Sequence, residues 1–256
     1  ILGVYNNSNF NINLFEKSLD TLKTRGPDDR GIWIEKNEKL FLGHTRLSII
    51  DLSLKAKQPM ISNSGRYILV YNGEIYNFQE LKEKIEKKKK FVFKSKSDTE
   101  VLLESIDCFG FNETLKLIDG MFAFSIFDKT KDELILVRDR YGEKPLYFGQ
   151  INSDFFFSSD LKFLKLSKKF DLKINPNSVN LLLNYSYIPA PHTIYNKIFK
   201  LEPYSYLKVK ISDLKKKNFP KPNESISYKD LNNTETNILG KKSISENSKI
   251  LGSLIN

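Results

Sequence analysis

Residues 121–127, MFAFSIF, leave no face for water. Successive side chains of an extended strand alternate between two faces. Here Met121, Ala123, Ser125 and Phe127 fall on one face and Phe122, Phe124 and Ile126 on the other, with Ser125 the only polar residue. Such a strand must lie between two covering layers. Residues 134–137, LILV, repeat the pattern, and the connections between 120 and 158 are short enough for antiparallel hairpins. The economical architecture is a sheet covered on one side by helices and on the other by a second sheet.

Strand-like runs also occur at 1–5, 31–35, 39–42, 67–71, 146–149 and 155–158. Three helices are signed by a cap residue, a glutamate three places on and one apolar stripe. These are Asn13 with Glu16, Asn77 with Glu80, and Ser97 with Glu100. Asn175-Pro176 opens a fourth. From 211 the composition turns polar and poorly periodic, so 1–210 is expected to form one domain and 211–256 a linker with the first residues of a following unit.

The chain of 256 residues is 40% hydrophobic, enough for a substantial core. A single cysteine, Cys108, excludes an internal disulfide framework. No apolar run reaches membrane-spanning length, so a cytoplasmic protein without a membrane partner is expected. Two histidines and one cysteine argue against a dedicated metal site. The net charge of +10 raises nucleic-acid binding, but the lysines come in runs at 87–90 and 215–217, with no aromatic-interleaved basic stretch. No nucleic-acid partner is expected.

Several segments could carry chemistry. Asn72-Gly73 is either a type I′ hairpin turn or the end of a strand presenting an amide side chain and a glycine N–H, the donor pair of an oxyanion hole. Arg46 is either a snorkelling surface charge or a fork that clamps a carboxylate. Asp98 either favours a helix dipole or joins Glu74 in receiving an ammonium group. Together these groups describe a site for an α-amino acid undergoing acyl transfer. His44 reads as a hydrogen-bonded structural histidine and Cys108 as a packed thiol, while residues 138–149, RDRYGEKPLYFG, are either architectural or a docking edge.

The segments RGPDDRG (25–31), GHTRLSIIDLS (43–53), QPM (58–60), YNGEIYN (71–77), SDTEVLLE (97–104), GMFAFSIFD (120–128) and RDRYGEKPLYF (138–148) resemble, in order and spacing, the glutaminase domain of glutamine-dependent asparagine synthetases. The resemblance covers about residues 1–210. It implies an α+β, N-terminal-nucleophile hydrolase fold with four αββα layers and two antiparallel sheets. It further implies an enzyme, a ligase in its full-length form, in which this domain hydrolyses glutamine to glutamate and ammonia. The ammonia is channelled to a C-terminal domain that converts aspartate to asparagine.

By the same resemblance Arg46 holds the glutamine α-carboxylate and Leu47, Ser48, Ile49 and Ile50 line the pocket. Glu74 and Asp98 receive the α-ammonium, and Asn72 with Gly73 forms the oxyanion hole. No cofactor is expected on this stretch; ATP and Mg2+ are implied for the synthetase domain, and a homodimer is compatible with the full-length form. The family's nucleophile is an N-terminal cysteine, and ILG at 1–3 matches residues that follow it, so that cysteine is expected two positions before Ile1. Without it the chain is expected to bind glutamine weakly at most and not to hydrolyse it. The alternatives are a relative amidating another carboxylate, or a non-catalytic glutamine-binding module.

Overall fold

A computed structural model describes residues 1–8, 11–35, 39–166 and 170–229. In chain order the regular elements are β1 (Leu2–Tyr5), α1 (Ile12–Asp20), β2 (Asp29–Ile34), β3 (Leu40–Arg46), β4 (Met60–Ile61), β5 (Tyr67–Ile75), α2 (Phe78–Lys88), α3 (Asp98–Phe109), α4 (Phe111–Leu117) and β6 (Gly120–Asp128). There follow β7 (Glu133–Arg138), β8 (Tyr147–Ile151), β9 (Asp154–Ser158), α5 (Pro176–Tyr185), β10 (Ile198–Lys200), β11 (Ser205–Lys210), α6 (Ile211–Lys215) and β12 (Ile226–Ser227). The strands form two six-stranded sheets, ordered β10-β8-β9-β1-β3-β2 and β12-β11-β7-β6-β5-β4. Every named strand pair is antiparallel.

The double-sided strands sit where their composition requires. On β6, Phe122, Phe124 and Ile126 pack with Leu81, Ile85, Val101, Leu102 and Ile106 of α2 and α3. Ala123 and Phe127 of the same strand point the other way, to Leu42, Phe148, Phe155 and Phe157 of the facing sheet. The outer face of that second sheet, including Leu2, Val4 and Phe41, is covered by Phe15 and Leu19 of α1. The layers therefore run helix, sheet, sheet, helix. Each fully buried Phe or Leu contributes about 1.5–3 kcal/mol by leaving water, so the middle layer is a large share of the driving force. No helix among the described residues is long and apolar enough to cross a membrane.

Three local expectations are revised. The first helix is capped by Asn11, whose Oδ1 accepts the Leu14 N–H at 3.0 Å, rather than by Asn13, which lies inside it. Asn77 stands at the N-cap of α2 without capping it; its side chain instead accepts the Asp119 N–H and donates to the Leu117 carbonyl, tying α2 to the start of β6. Ser97 does cap α3, accepting the Glu100 N–H.

The third revision concerns the boundary at 210. Residues 211–228 are part of the fold: Ile211 and Leu214 are buried between the sheets, β12 pairs with β11, and the buried Tyr228 hydroxyl donates to the Arg138 carbonyl at 2.8 Å. The expected linker therefore does not start at 211, and the rest of the stretch expected to hold it, 230–256, lies outside the described residues. The RDRYGEKP segment is architectural at its base. Asp139, fully buried, accepts the N–H groups of Phe122, Tyr141, Glu143 and Lys144, and Arg138 donates to the carbonyls of Gly142, Lys144 and Leu201.

Candidate active site

Asn72-Gly73 is neither a hairpin turn nor a strand end. β5 continues through both, pairing Asn72 with Ala123, Gly73 with Phe122 and Glu74 with Met121 before it stops at Ile75. Strand alternation then sets the directions. Ile68 and Val70 face the other sheet, so Asn72 and Glu74 project to that same side, while Leu69, Tyr71 and Ile75 face the helices. A Cβ at Gly73 would collide with the backbone of Met121 and Phe122, so this position admits only glycine at its present distance from β6. Asn72 Nδ2 is buried and has no acceptor among the described residues.

Arg46 ends β3 and is buried, with 8% of its surface exposed. Its Nη1 donates to the Ser53 carbonyl at 3.0 Å and its Nη2 to the Asp51 carbonyl. The loop that carries these carbonyls is itself fastened by Asp51, which accepts the N–H groups of Ser53 and Lys96 at 2.7 Å each. Those bonds hold the Asp51 carboxyl down at about 2. A guanidinium has five N–H donors, so these two bonds orient the fork and leave donors for an anion.

Asp98, at the first turn of α3, is 5% exposed. Its Oδ2 accepts from the Tyr71 hydroxyl at 2.7 Å and from the Ile75 N–H at 3.0 Å. One carboxylate oxygen thus spans the stretch of β5 that carries Asn72, Gly73 and Glu74. From the other side, Gln58 Oε1 accepts the Tyr71 N–H at 2.7 Å. Burial pushes the Asp98 carboxyl up, against the opposing pull of the Tyr71, Ile75 and Thr99 bonds, with Glu74 raising it further. An ammonium group beside Asp98 would relieve that penalty.

Arg46, Asn72, Gly73, Glu74 and Asp98 all line one cavity of about 190 Å³. Leu47, Ile49 and Ile50 line it as well, on its exposed side. Ser48 does not; its N–H is turned to Asp28 Oδ2 at 2.7 Å. The cavity also takes Arg25, His44, Gln58, Tyr71 and Lys144, which the sequence reading did not place there. Arg25, Gln58 and Lys144 fall within motifs that resemble the family, and that was the signal available. His44 is a hydrogen-bonded histidine, as expected, but one on the cavity wall. Cys108, half-buried, packs against the helix-side core ten residues beyond Asp98 on α3, about 15 Å away along the axis. It is no part of the cavity.

The profile of the glutamine amidotransferase domain family matches residues 1–220. A protein of Methanocaldococcus jannaschii, provisionally named asparagine synthetase [glutamine-hydrolyzing] 2, is 41% identical over 218 residues, covering 78% of this chain and 41% of its own. Asparagine synthetase [glutamine-hydrolyzing] 1 of Bacillus subtilis is 36% identical over 186 residues, 73% of this chain and 28% of its own. The chain therefore spans well under half the length of these relatives. Among solved structures, the glutamine phosphoribosylpyrophosphate amidotransferase of B. subtilis superimposes with a TM-score of 0.58 at 19% identity, over 82% of this chain and 47% of its own. That likeness is one of fold.

Proposed function

The chain belongs to the glutamine amidotransferase domain family, and from that membership we propose that its cavity binds L-glutamine and serves the release of ammonia from the side-chain amide. Its fold is the N-terminal-nucleophile hydrolase fold. One observation carries the reading: a guanidinium fork, two carboxylates and an amide N–H2 without an acceptor among the described residues meet in a single 190 Å³ cavity. Arg46 takes the α-carboxylate, because a fork fixes orientation as well as charge. Glu74 and Asp98 take the α-ammonium. Asn72 Nδ2 and the Gly73 N–H meet the oxygen that gains charge when the amide carbon becomes tetrahedral.

The reaction needs a nucleophile, which we place in a cysteine two positions before Ile1. Ladder register supports that position. β1 pairs Leu2 with Gly43 and runs antiparallel to β3, so each step back on one is a step forward on the other. A residue two places before Ile1 falls opposite Arg46 and, by alternation, on the same face as Ile1, which packs between the sheets. Its thiolate would attack the amide carbon, with the terminal amine as base. Collapse of the tetrahedral intermediate expels ammonia and leaves a thioester, which water cleaves to glutamate.

In the same reading the ammonia passes to a synthetase portion that amidates aspartate, supported by the names of the two relatives above. ATP and Mg2+ belong to that portion and enter no step of the glutamine chemistry. A cytosolic setting fits a chain with one cysteine. The test of binding is an NMR titration of the 15N-labelled chain. L-glutamine, but not D-glutamine, should shift the amides of Asn72, Gly73 and the start of α3. Equal shifts with both enantiomers, or none, would refute a glutamine site.

A further inference from the structure

We propose that Tyr71 is a positioning residue for amino-acid binding: its hydroxyl, donating to Asp98 Oδ2, fixes the rotation of the carboxylate that receives the α-ammonium and braces the strand segment carrying the oxyanion donors. The inference rests on the glutamine reading above and names a residue that reading does not use. A carboxylate anchored by a single donor can swing about its Cβ–Cγ bond. Two donors on the same oxygen, the Tyr71 hydroxyl at 2.7 Å and the Ile75 N–H at 3.0 Å, leave the second oxygen one direction. Both donors belong to β5, four residues apart, and between them lie Asn72, Gly73 and Glu74. The ammonium site and the oxyanion donors are therefore one mechanical unit.

The Tyr71 side chain has no room to do otherwise. It is buried, 3% exposed, in the core shared by β5, β6 and α3, and its backbone N–H is taken by Gln58. Burial and the adjacent Asp98 carboxylate raise its phenol well above the usual value, so it remains a donor throughout the working pH range. The other charged or titratable groups of the cavity are Glu74 beside it on β5, His44 and Arg46 on β3, Asp51 on the loop, Arg25, and Lys144. Of these Glu74 acts on Asp98 in the same direction as burial. Loss of the tyrosine hydroxyl removes a bond that favours the charged carboxylate.

Tyr71→Phe keeps the ring and deletes only that bond. Two measurements on the 256-residue chain test the proposal. In a 13C titration of the aspartate carboxyls, assigned with Asp98→Asn, Tyr71→Phe should move the Asp98 midpoint to higher pH. In the NMR titration with L-glutamine, it should weaken binding about tenfold at pH 6, with the deficit shrinking as pH rises. Added to Asp98→Asn, it should weaken binding no further. An unmoved Asp98 midpoint would overturn the proposal whether or not glutamine binds. A moved midpoint in a chain that binds no glutamine would overturn the functional reading and the binding role of Tyr71, leaving only the carboxylate contact. A pH-independent loss that adds to that of Asp98→Asn would make Tyr71 a packing residue. If Tyr71→Phe does not fold, the wild-type chain decides: a slowly exchanging hydroxyl proton that vanishes in Asp98→Ala, which has no side-chain acceptor, supports the bond, and its absence from the wild-type chain refutes it.

Discussion

His44 on β3 donates its Nε2–H to the carbonyl of Tyr71 on β5 across 3.0 Å, joining the two sheets at the wall of the cavity. A carbonyl can only accept, so the proton resides on Nε2 and Nδ1 is left as a buried acceptor with no donor among the described residues. The imidazole is neutral here: burial presses its pKa down to about 3.

That depression makes stability depend on pH in a defined window. An unfolded histidine titrates near 6.5, so between about 6.5 and about 3 the unfolded chain binds a proton that the folded chain refuses. The His44 contribution is complete above about 6.5 and is lost as pH falls. About 2 kcal/mol should disappear between pH 6.5 and pH 5, read as a fall in the urea midpoint. His44→Gln should flatten that part of the profile; parallel profiles would show that His44 charges freely in the folded state.

Arg46→Lys retains the charge and discards the fork. L-glutamine should bind at least about tenfold more weakly, whereas the α-methyl ester, which lacks the carboxylate, should bind the variant and the parent alike. An equal loss for both ligands would assign Arg46 only to holding the loop through Asp51 and Ser53.

Gly73→Ala drives a methyl group into the Met121–Phe122 backbone. The β5–β6 pairing should be weakened by about 1–3 kcal/mol, visible as a lower thermal midpoint and faster amide exchange at Phe122 and Ala123. An unchanged midpoint would mean that β6 yields at no cost.

Phe124→Ala tests the central layer directly. Phe124 is fully buried under the helices on β6, between β7 and β5, and its truncation should cost about 3–5 kcal/mol in denaturant unfolding. A loss below about 1 kcal/mol would place β6 at an edge.

The layered fold is legible in MFAFSIF and LILV because a strand with no polar face has few places to go. Asn72-Gly73 is less legible. Its local signature is that of a tight turn, and pairing with β6 out to Ile75, a long-range fact, overrides it. Residues 211–228 hide for a similar reason, since Ile211, Leu214 and Tyr228 are isolated apolar residues in a polar stretch and only the finished sheets give them a place. Asn77 has the type of a cap residue but spends its amide on Leu117 and Asp119. Arg46, Glu74 and Asp98 can be nominated from residue chemistry. The Gln58–Tyr71–Asp98 chain cannot, because its members stand 13 and 27 residues apart and no periodic pattern links them.

In the proposed function the cavity is a glutaminase site served by a cysteine two positions before Ile1. The direct measurement is glutamate and ammonia release from L-glutamine by the chain carrying Cys-Gly ahead of Ile1, beside the same chain with Ser-Gly and the 256-residue chain itself. Stoichiometric glutamate and ammonia from the cysteine form alone is the predicted result. A cysteine form that binds L-glutamine but releases neither product, or equal release by all three, would contradict it.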